Sequence, residues 1–163
     1  MIAMVKSHEN RDDDRFPNRK SPRLKDFDYA TPNSYFITVC TFDKKCIFWR
    51  DGVLNEFGTM VFQGIMEIPK HFPNNPVEKF VVMPNHLHMI LTVEPGGASV
   101  STVVGALKSH VTKQIHEICP EIKVWQASFH DHGIRGQKDY DRIWEYIENN
   151  PLRWNEDCFY TES

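Results

Sequence analysis

The sequence predicts an α+β fold, an antiparallel sheet with helices on one face, on three observations. Short β-branched and aromatic runs stand apart from longer stretches whose apolar residues recur three and four positions apart. The two kinds of segment alternate, and turn residues separate them, all within a chain of 163 residues. That length suffices for one domain with a real core and is short for two. Hydrophobic residues make up 40% of the chain and charged residues 25%, the balance of a globular protein and not of a disordered one.

The elements follow in order. Residues 1–27 are polar and charge-dense, without apolar periodicity, and are read as a partly disordered arm. Its stretch from Arg19 to Lys25 carries Arg19, Lys20, Arg23 and Lys25 and no acid, which suits contact with phosphates. The single folded domain is then 28–163. Tyr35 to Phe42, preceded by the turn residues Pro32, Asn33 and Ser34, is a first strand. Val53 to Ile68 spaces Phe57, Met60, Val61, Ile65 and Ile68 as one face of a helix, ended by Pro69 and Pro73. Glu78 to Val82 and His86 to Val93 are two strands about the tight connection Met83-Pro84-Asn85.

After the break at Pro95-Gly96-Gly97, Ser101 is the expected cap of a second helix, with Val104, Leu107, Val111, Ile115 and Ile118 as its buried stripe. Trp125 to Ile134 reads as a fourth strand, and Asp139 opens a third helix that Pro151 ends. The order strand, helix, strand, strand, helix, strand is the ferredoxin-like, split βαβ arrangement. Such a sheet would leave its second face open. Alternation in the third strand sends Leu87, Met89, Leu91 and Val93 towards the helices and His86, His88, Ile90 and Thr92 to that second face.

Composition narrows the chemistry. A net charge of −3 argues against a protein that coats DNA over a wide basic surface, so any nucleic-acid site must be a local patch. Cys40, Cys46, Cys119 and Cys158 form no CxxC pair, which points to reduced, mostly core thiols and not to a zinc knuckle or a disulfide framework. No apolar run is long enough to cross a bilayer and the start lacks a secretory pattern, so the expected location is cytoplasmic, with no membrane partner.

His86-Leu87-His88 places two imidazoles on one side of a strand, close enough to share a metal ion. The triplet alone is a weak signal, and His130-Asp131-His132 repeats its spacing. On the third helix Tyr146 and Asn150 are four residues apart and share a face, with Ile143 and Ile147 as the neighbouring apolar stripe. Lys108, Lys113, Arg135 and Arg142, interleaved with Trp125, Phe129, Tyr140 and Trp154, could line a path for single-stranded DNA or instead be ordinary surface charges and core rings.

Val82-Met-Pro-Asn-His-Leu-His-Met-Ile-Leu91 resembles the HUH motif of the REP-associated tyrosine transposases, relatives of the single-tyrosine insertion-sequence transposases. Tyr146-Ile-Glu-Asn-Asn-Pro151 resembles their tyrosine helix. Phe27 to Thr41, Val104 to Ser109 and Trp125 to Arg135 are similar to their first strand, second helix and last strand, so the likeness covers about residues 23–155 in family order.

The resemblance implies His86 and His88 as metal ligands, Tyr146 as nucleophile and Asn150, where related enzymes carry glutamine, as third ligand. It sets His130 and His132 aside as structural or DNA-facing. It implies a Mg²⁺- or Mn²⁺-dependent enzyme that cleaves and rejoins single-stranded DNA flanked by hairpin or palindromic elements, through a 5′-phosphotyrosine. Arg23, Lys25, Lys108, Lys113, Arg135 and Arg142 would contact the DNA. A non-catalytic, domesticated DNA-binding relative is the alternative, and a hydrolase of small phosphoesters would leave Tyr146 without a purpose. Monomer and homodimer both remain open.

Overall fold

The structure is a computed structural model describing residues 33–162. The arm, with Arg23 and Lys25, lies outside the described residues. The main sheet has four strands, β1 (Asn33–Cys40), β4 (Val77–Val82), β5 (His86–Val93) and β6 (His130–Gly133), in the order β4-β5-β1-β6 with every neighbour antiparallel. Helix α1 (Glu56–His71) links β1 to β4, and α2 (Val100–Ile118) links β5 to β6. This is the ferredoxin-like topology.

Both helices pack on the sheet face that Leu87, Met89, Leu91 and Val93 present, where they meet Tyr35, Ile37 and Val39 of β1. From the helices come Val61, Ile65 and Ile68 of α1 and Val103, Val104, Leu107, Val111 and Ile115 of α2. Each such aliphatic side chain contributes about 1.5–3 kcal/mol when removed from water, so this face is the main stabiliser.

Local chemistry shifts several boundaries. Asp51 and Gly52 both adopt positive φ (52° and 78°), the requirement of a type I′ turn, and fold Trp49–Arg50 (β2) onto Val53–Leu54 (β3) as a small hairpin. Val53 is therefore a strand residue, and α1 starts later, at Glu56, where Asn55 accepts a hydrogen bond from Gly58 N–H at 3.0 Å. Pro69 lies inside the last turn of α1 without ending it, because its missing N–H removes only one bond near the terminus.

Ser99, not Ser101, caps α2, accepting from Thr102 N–H at 3.2 Å; Val100 and Val103 join the buried stripe, and Ile118 is half exposed. The expected fourth strand is shorter than its sequence suggests. Trp125 forms a lone bridge to Thr41, and regular pairing with β1 resumes only at His130. Of the cysteines only Cys40 is buried, so the expectation of mostly core thiols fails.

The second sheet face is not open. Helix α3 (Gly136–Asn149) lies across it, starting before Asp139, and the 3-10 segment Pro151–Glu156 continues from it. Ile143, Tyr146 and Ile147 of α3 pack with Phe36, Ile90 and Ile134 into a second, smaller core. An apolar Ile90 on this face needs such a cover, and the amphipathic α3 supplies it. Among the described residues no helix is long and apolar enough to cross a membrane.

Candidate metal and tyrosine site

His86 and His88 leave the same side of β5, opposite Cys40 and Thr38 of β1, and both are buried, 0% and 1% exposed. Asn85 fixes the first ring. Its Nδ2 donates to Lys44 O (3.0 Å) and Phe159 O (2.8 Å), which turns Oδ1 towards His86 Nδ1 at 2.8 Å. Since Oδ1 can only accept, Nδ1 carries the proton and His86 Nε2 keeps its lone pair. His88 Nδ1 is bonded to Thr38 Oγ1 at 2.8 Å, and the two Nε2 atoms face each other at 3.1 Å.

Burial holds both imidazoles neutral. It lowers His86 well below its ordinary value, with His88 adding to the effect and the Asn150 amide opposing it, and it pushes His88 down to about 3. Neutral imidazole is the ligating form. Cys40, opposite His86, is pushed up to about 12 by burial and stays a thiol.

Tyr146 reaches this pair from above. Its ring is 8% exposed, edge-on to Phe36 at 6.0 Å and to His88 at 5.3 Å between centroids. Asn150 is brought in too, at 3% exposure; its Nδ2 donates to Asp157 Oδ2 at 2.7 Å, while its buried Oδ1 is left beside His86 with no well-formed hydrogen bond among the described residues. The structure thus gathers His86, His88, Tyr146 and Asn150 in one place.

Asp157 was not visible from sequence. It follows the 3-10 segment in a polar stretch with no periodic pattern, yet its carboxylate is fully buried, 3.8 Å from His86 Nε2. Its other oxygen accepts from Phe159 N–H at 2.8 Å. His86, His88 and Asp157 present three potential ligand atoms within 4.8 Å of one another. Phe159 and Trp154 close over the pair, 4.7 Å and 6.0 Å from the His86 ring.

The donors suit a divalent cation. Two ligands at right angles around an ion with bonds of about 2.1 Å lie about 3 Å apart, close to the imidazole separation observed. The buried Asn150 oxygen is a third neutral donor in the same pocket.

The other candidate residues are dispersed. Lys108 and Lys113 belong to α2, on the sheet face away from the histidines; Lys108 Nζ donates to Gln126 O at 2.6 Å, and Lys113 is exposed. Both line an open groove of about 490 Å³ with Lys123 and Trp125. Arg135 and Arg142 are exposed on α3 and its approach, with Arg142 paired to Asp139 at 2.7 Å. His132 bonds the same carboxylate at 2.7 Å. Burial alone would raise Asp139, but the Arg135 backbone N–H, His132 and Arg142 outweigh it and hold the group below the usual range. Trp125 and Phe129, considered above as stacking platforms for bases, are buried in the main core.

Paired imidazoles on a central strand, with a single helical tyrosine over them, place the chain in the class of HUH-type, single-tyrosine transposases. Its particular family follows from sequence. Residues 34–150 match the profile of the IS200-like transposases, and the chain belongs to that family.

Along 89% of its length it is 32% identical to an uncharacterised protein of Haemophilus influenzae, covering 94% of that protein. It is 28% identical to the REP-associated tyrosine transposase of Escherichia coli K12, over 77% of this chain and 70% of that one. A solved REP-associated tyrosine transposase bound to a REP hairpin superposes with a TM-score of 0.60 at 25% identity, covering 83% of this chain and 76% of its own.

Proposed function

We propose that this transposase is a divalent-metal-dependent enzyme that cuts and rejoins single-stranded DNA beside hairpin elements, with Tyr146 as nucleophile. The observation that carries this reading is the Tyr146 ring lying against His88 at 5.3 Å, on the face where His86 and His88 pair. His86, His88 and Asn150 would hold the ion, Mg²⁺ or Mn²⁺ by donor type. When bound, it would offset the negative charge that develops on a non-bridging phosphate oxygen.

The chain's own groups do the rest. Tyr146 Oη attacks the scissile phosphorus and loses its proton to solvent; the bond to the 3′ oxygen breaks, and that oxygen takes up a proton. The product is a 5′-phosphotyrosine and a free 3′-hydroxyl. The ester retains the bond, so a later hydroxyl can displace the tyrosine and rejoin the strand. Asn85 and Thr38 keep the imidazole nitrogens aimed. Arg135 and Arg142, flanking α3, and the groove lined by Lys108 and Lys113 are the proposed DNA contacts, together with Arg23 and Lys25 of the arm. The hairpin preference rests on the relative solved with a REP hairpin.

A single-stranded hairpin substrate labelled 3′ of the cut tests the reading. The wild type should form a labelled protein–DNA adduct stable to denaturing electrophoresis. Tyr146→Phe keeps the ring packed on Phe36 and should bind the DNA yet form no adduct. An adduct from the Phe variant would sink the assignment.

A further inference from the structure

Helix α3 is held down on the sheet by Ile143 and Ile147, which pack with Phe36 and Ile90. Apolar contacts of this kind are non-directional, so they leave the roll of the helix and its slide along the strands weakly specified. A nucleophile tolerates little of either, since a misplacement of about 1 Å can lower a rate on the order of a hundredfold. Directional contacts come from a second line of side chains, Tyr140, Trp144 and Glu148, spaced four residues apart along α3.

Their partners owe their placement to an irregularity in β4. Its pairing with β5 runs from Val77 opposite Leu91 directly to Lys79 opposite Ile90, so Glu78 is an extra residue, a β-bulge. Regular alternation would put Glu78 and Lys79 on opposite faces of the sheet. The bulge turns both towards α3. Tyr140 Oη donates to Glu78 Oε2, while Lys79 Nζ pairs with Glu148 and lies 4.8 Å from the centre of the Trp144 ring. Glu78 is held from behind as well: Thr92 Oγ1 of β5 donates to its Oε1 and is bonded to Ser34 Oγ of β1 at 2.8 Å. The helix is thereby tied to three strands. Burial and Glu78 push Tyr140 up to about 12, so it stays a phenol and a donor in this arrangement.

Resting on the reading of Tyr146 as nucleophile, we propose that Glu78 and Lys79 are positioning residues for it. Acting through Tyr140, Trp144 and Glu148, they fix the roll and the axial position of α3, which keeps the Tyr146 ring against His88. Neither touches the reacting atoms. Pairs this close to solvent add little to stability, so their loss should move the helix without unfolding the domain.

Two measurements on the full chain test this. The first needs neither DNA nor metal. The Tyr146 ring lies against Phe36 and His88, whose ring currents displace its NMR resonances. In Tyr140→Phe and in Glu78→Ala these should move towards the values of an unstacked tyrosine, with the urea midpoint near that of the wild type. Resonances that stay in place overturn the inference.

The second is the single-turnover rate of adduct formation on saturating single-stranded hairpin DNA and Mn²⁺. Tyr140→Phe and Glu78→Ala should each lower it about tenfold or more with DNA affinity unchanged, and together they should cost no more than either alone. Glu78→Gln keeps an acceptor for Tyr140 and should recover most of the rate. Lys79→Glu should also be slow, and adding Glu148→Lys should restore it. Losses that add, or that follow a fall in DNA affinity, refute the positioning role. Shifted resonances with wild-type rates remove this role alone. An adduct that Tyr146→Phe still forms removes the nucleophile reading, and this role with it.

Discussion

His86 Nε2 and His88 Nε2 face each other at 3.1 Å in a pocket that neither ring shares with solvent. Removing either imidazole would take a donor from the proposed ion and would also leave a neighbour unsatisfied, Asn85 Oδ1 in one case and Thr38 Oγ1 in the other. His86→Ala and His88→Ala should therefore abolish adduct formation and lower stability by about 2–4 kcal/mol, read from urea denaturation. Wild-type cleavage by either variant with Mn²⁺ present would remove that histidine from the site. The expectation of solvent-facing rings would have predicted no stability loss.

Acid should destabilise the fold through the same pair. His88 is held at about 3 when folded against an ordinary value of 6.5, so the unfolded chain binds the proton first. The contribution is intact above pH 6.5 and is lost as pH falls towards the folded value, at about 1.4 kcal/mol per pH unit. Between pH 7 and pH 5 His88 alone should remove about 2 kcal/mol, measured as the shift in urea midpoint of metal-free protein. A midpoint that does not move across this range would show that the ring is not buried neutral.

Asn150 donates its amide hydrogen to Asp157 and presents a buried oxygen beside His86. Asn150→Ala should retain cleavage at saturating Mn²⁺ but need about tenfold more of the ion to reach it. An unchanged Mn²⁺ titration would exclude Asn150 as a ligand.

Deleting residues 1–25 should weaken binding of single-stranded DNA and flatten its dependence on salt, because Arg19, Lys20 and Arg23 leave with it, and Lys25 as well. The rate of cleavage by bound enzyme should not change. Equal affinity and an equal salt slope would make the arm a bystander.

The sequence revealed most of the fold because strand alternation and helical spacing are local signals. The bounds of β5 are those expected from sequence, and its two faces carry the residues predicted for them. The β2–β3 hairpin went unseen although Asp51-Gly52 is a strong turn signal, because apolar spacing from Val53 onward suggested a helix. His86, His88, Tyr146 and Asn150 converge as their motifs implied. Asp157 could not be foreseen, since its place depends on how the segment after Pro151 folds back onto Asn85 and Asn150, a long-range packing outcome.

Asn85 joins three distant stretches of chain, bonding Lys44 O, Phe159 O and its neighbour His86. The ring orientation that makes His86 a donor is therefore completed only when residues from both ends of the domain have docked. During synthesis the histidines emerge well before Tyr146, Asn150 and Phe159, so the pocket is assembled last. A growing or shortened chain that ends at Gly133 would carry all four strands of the main sheet without the helix and the following segment that close over the histidines, so the order of translation leaves that pocket uncovered until the end.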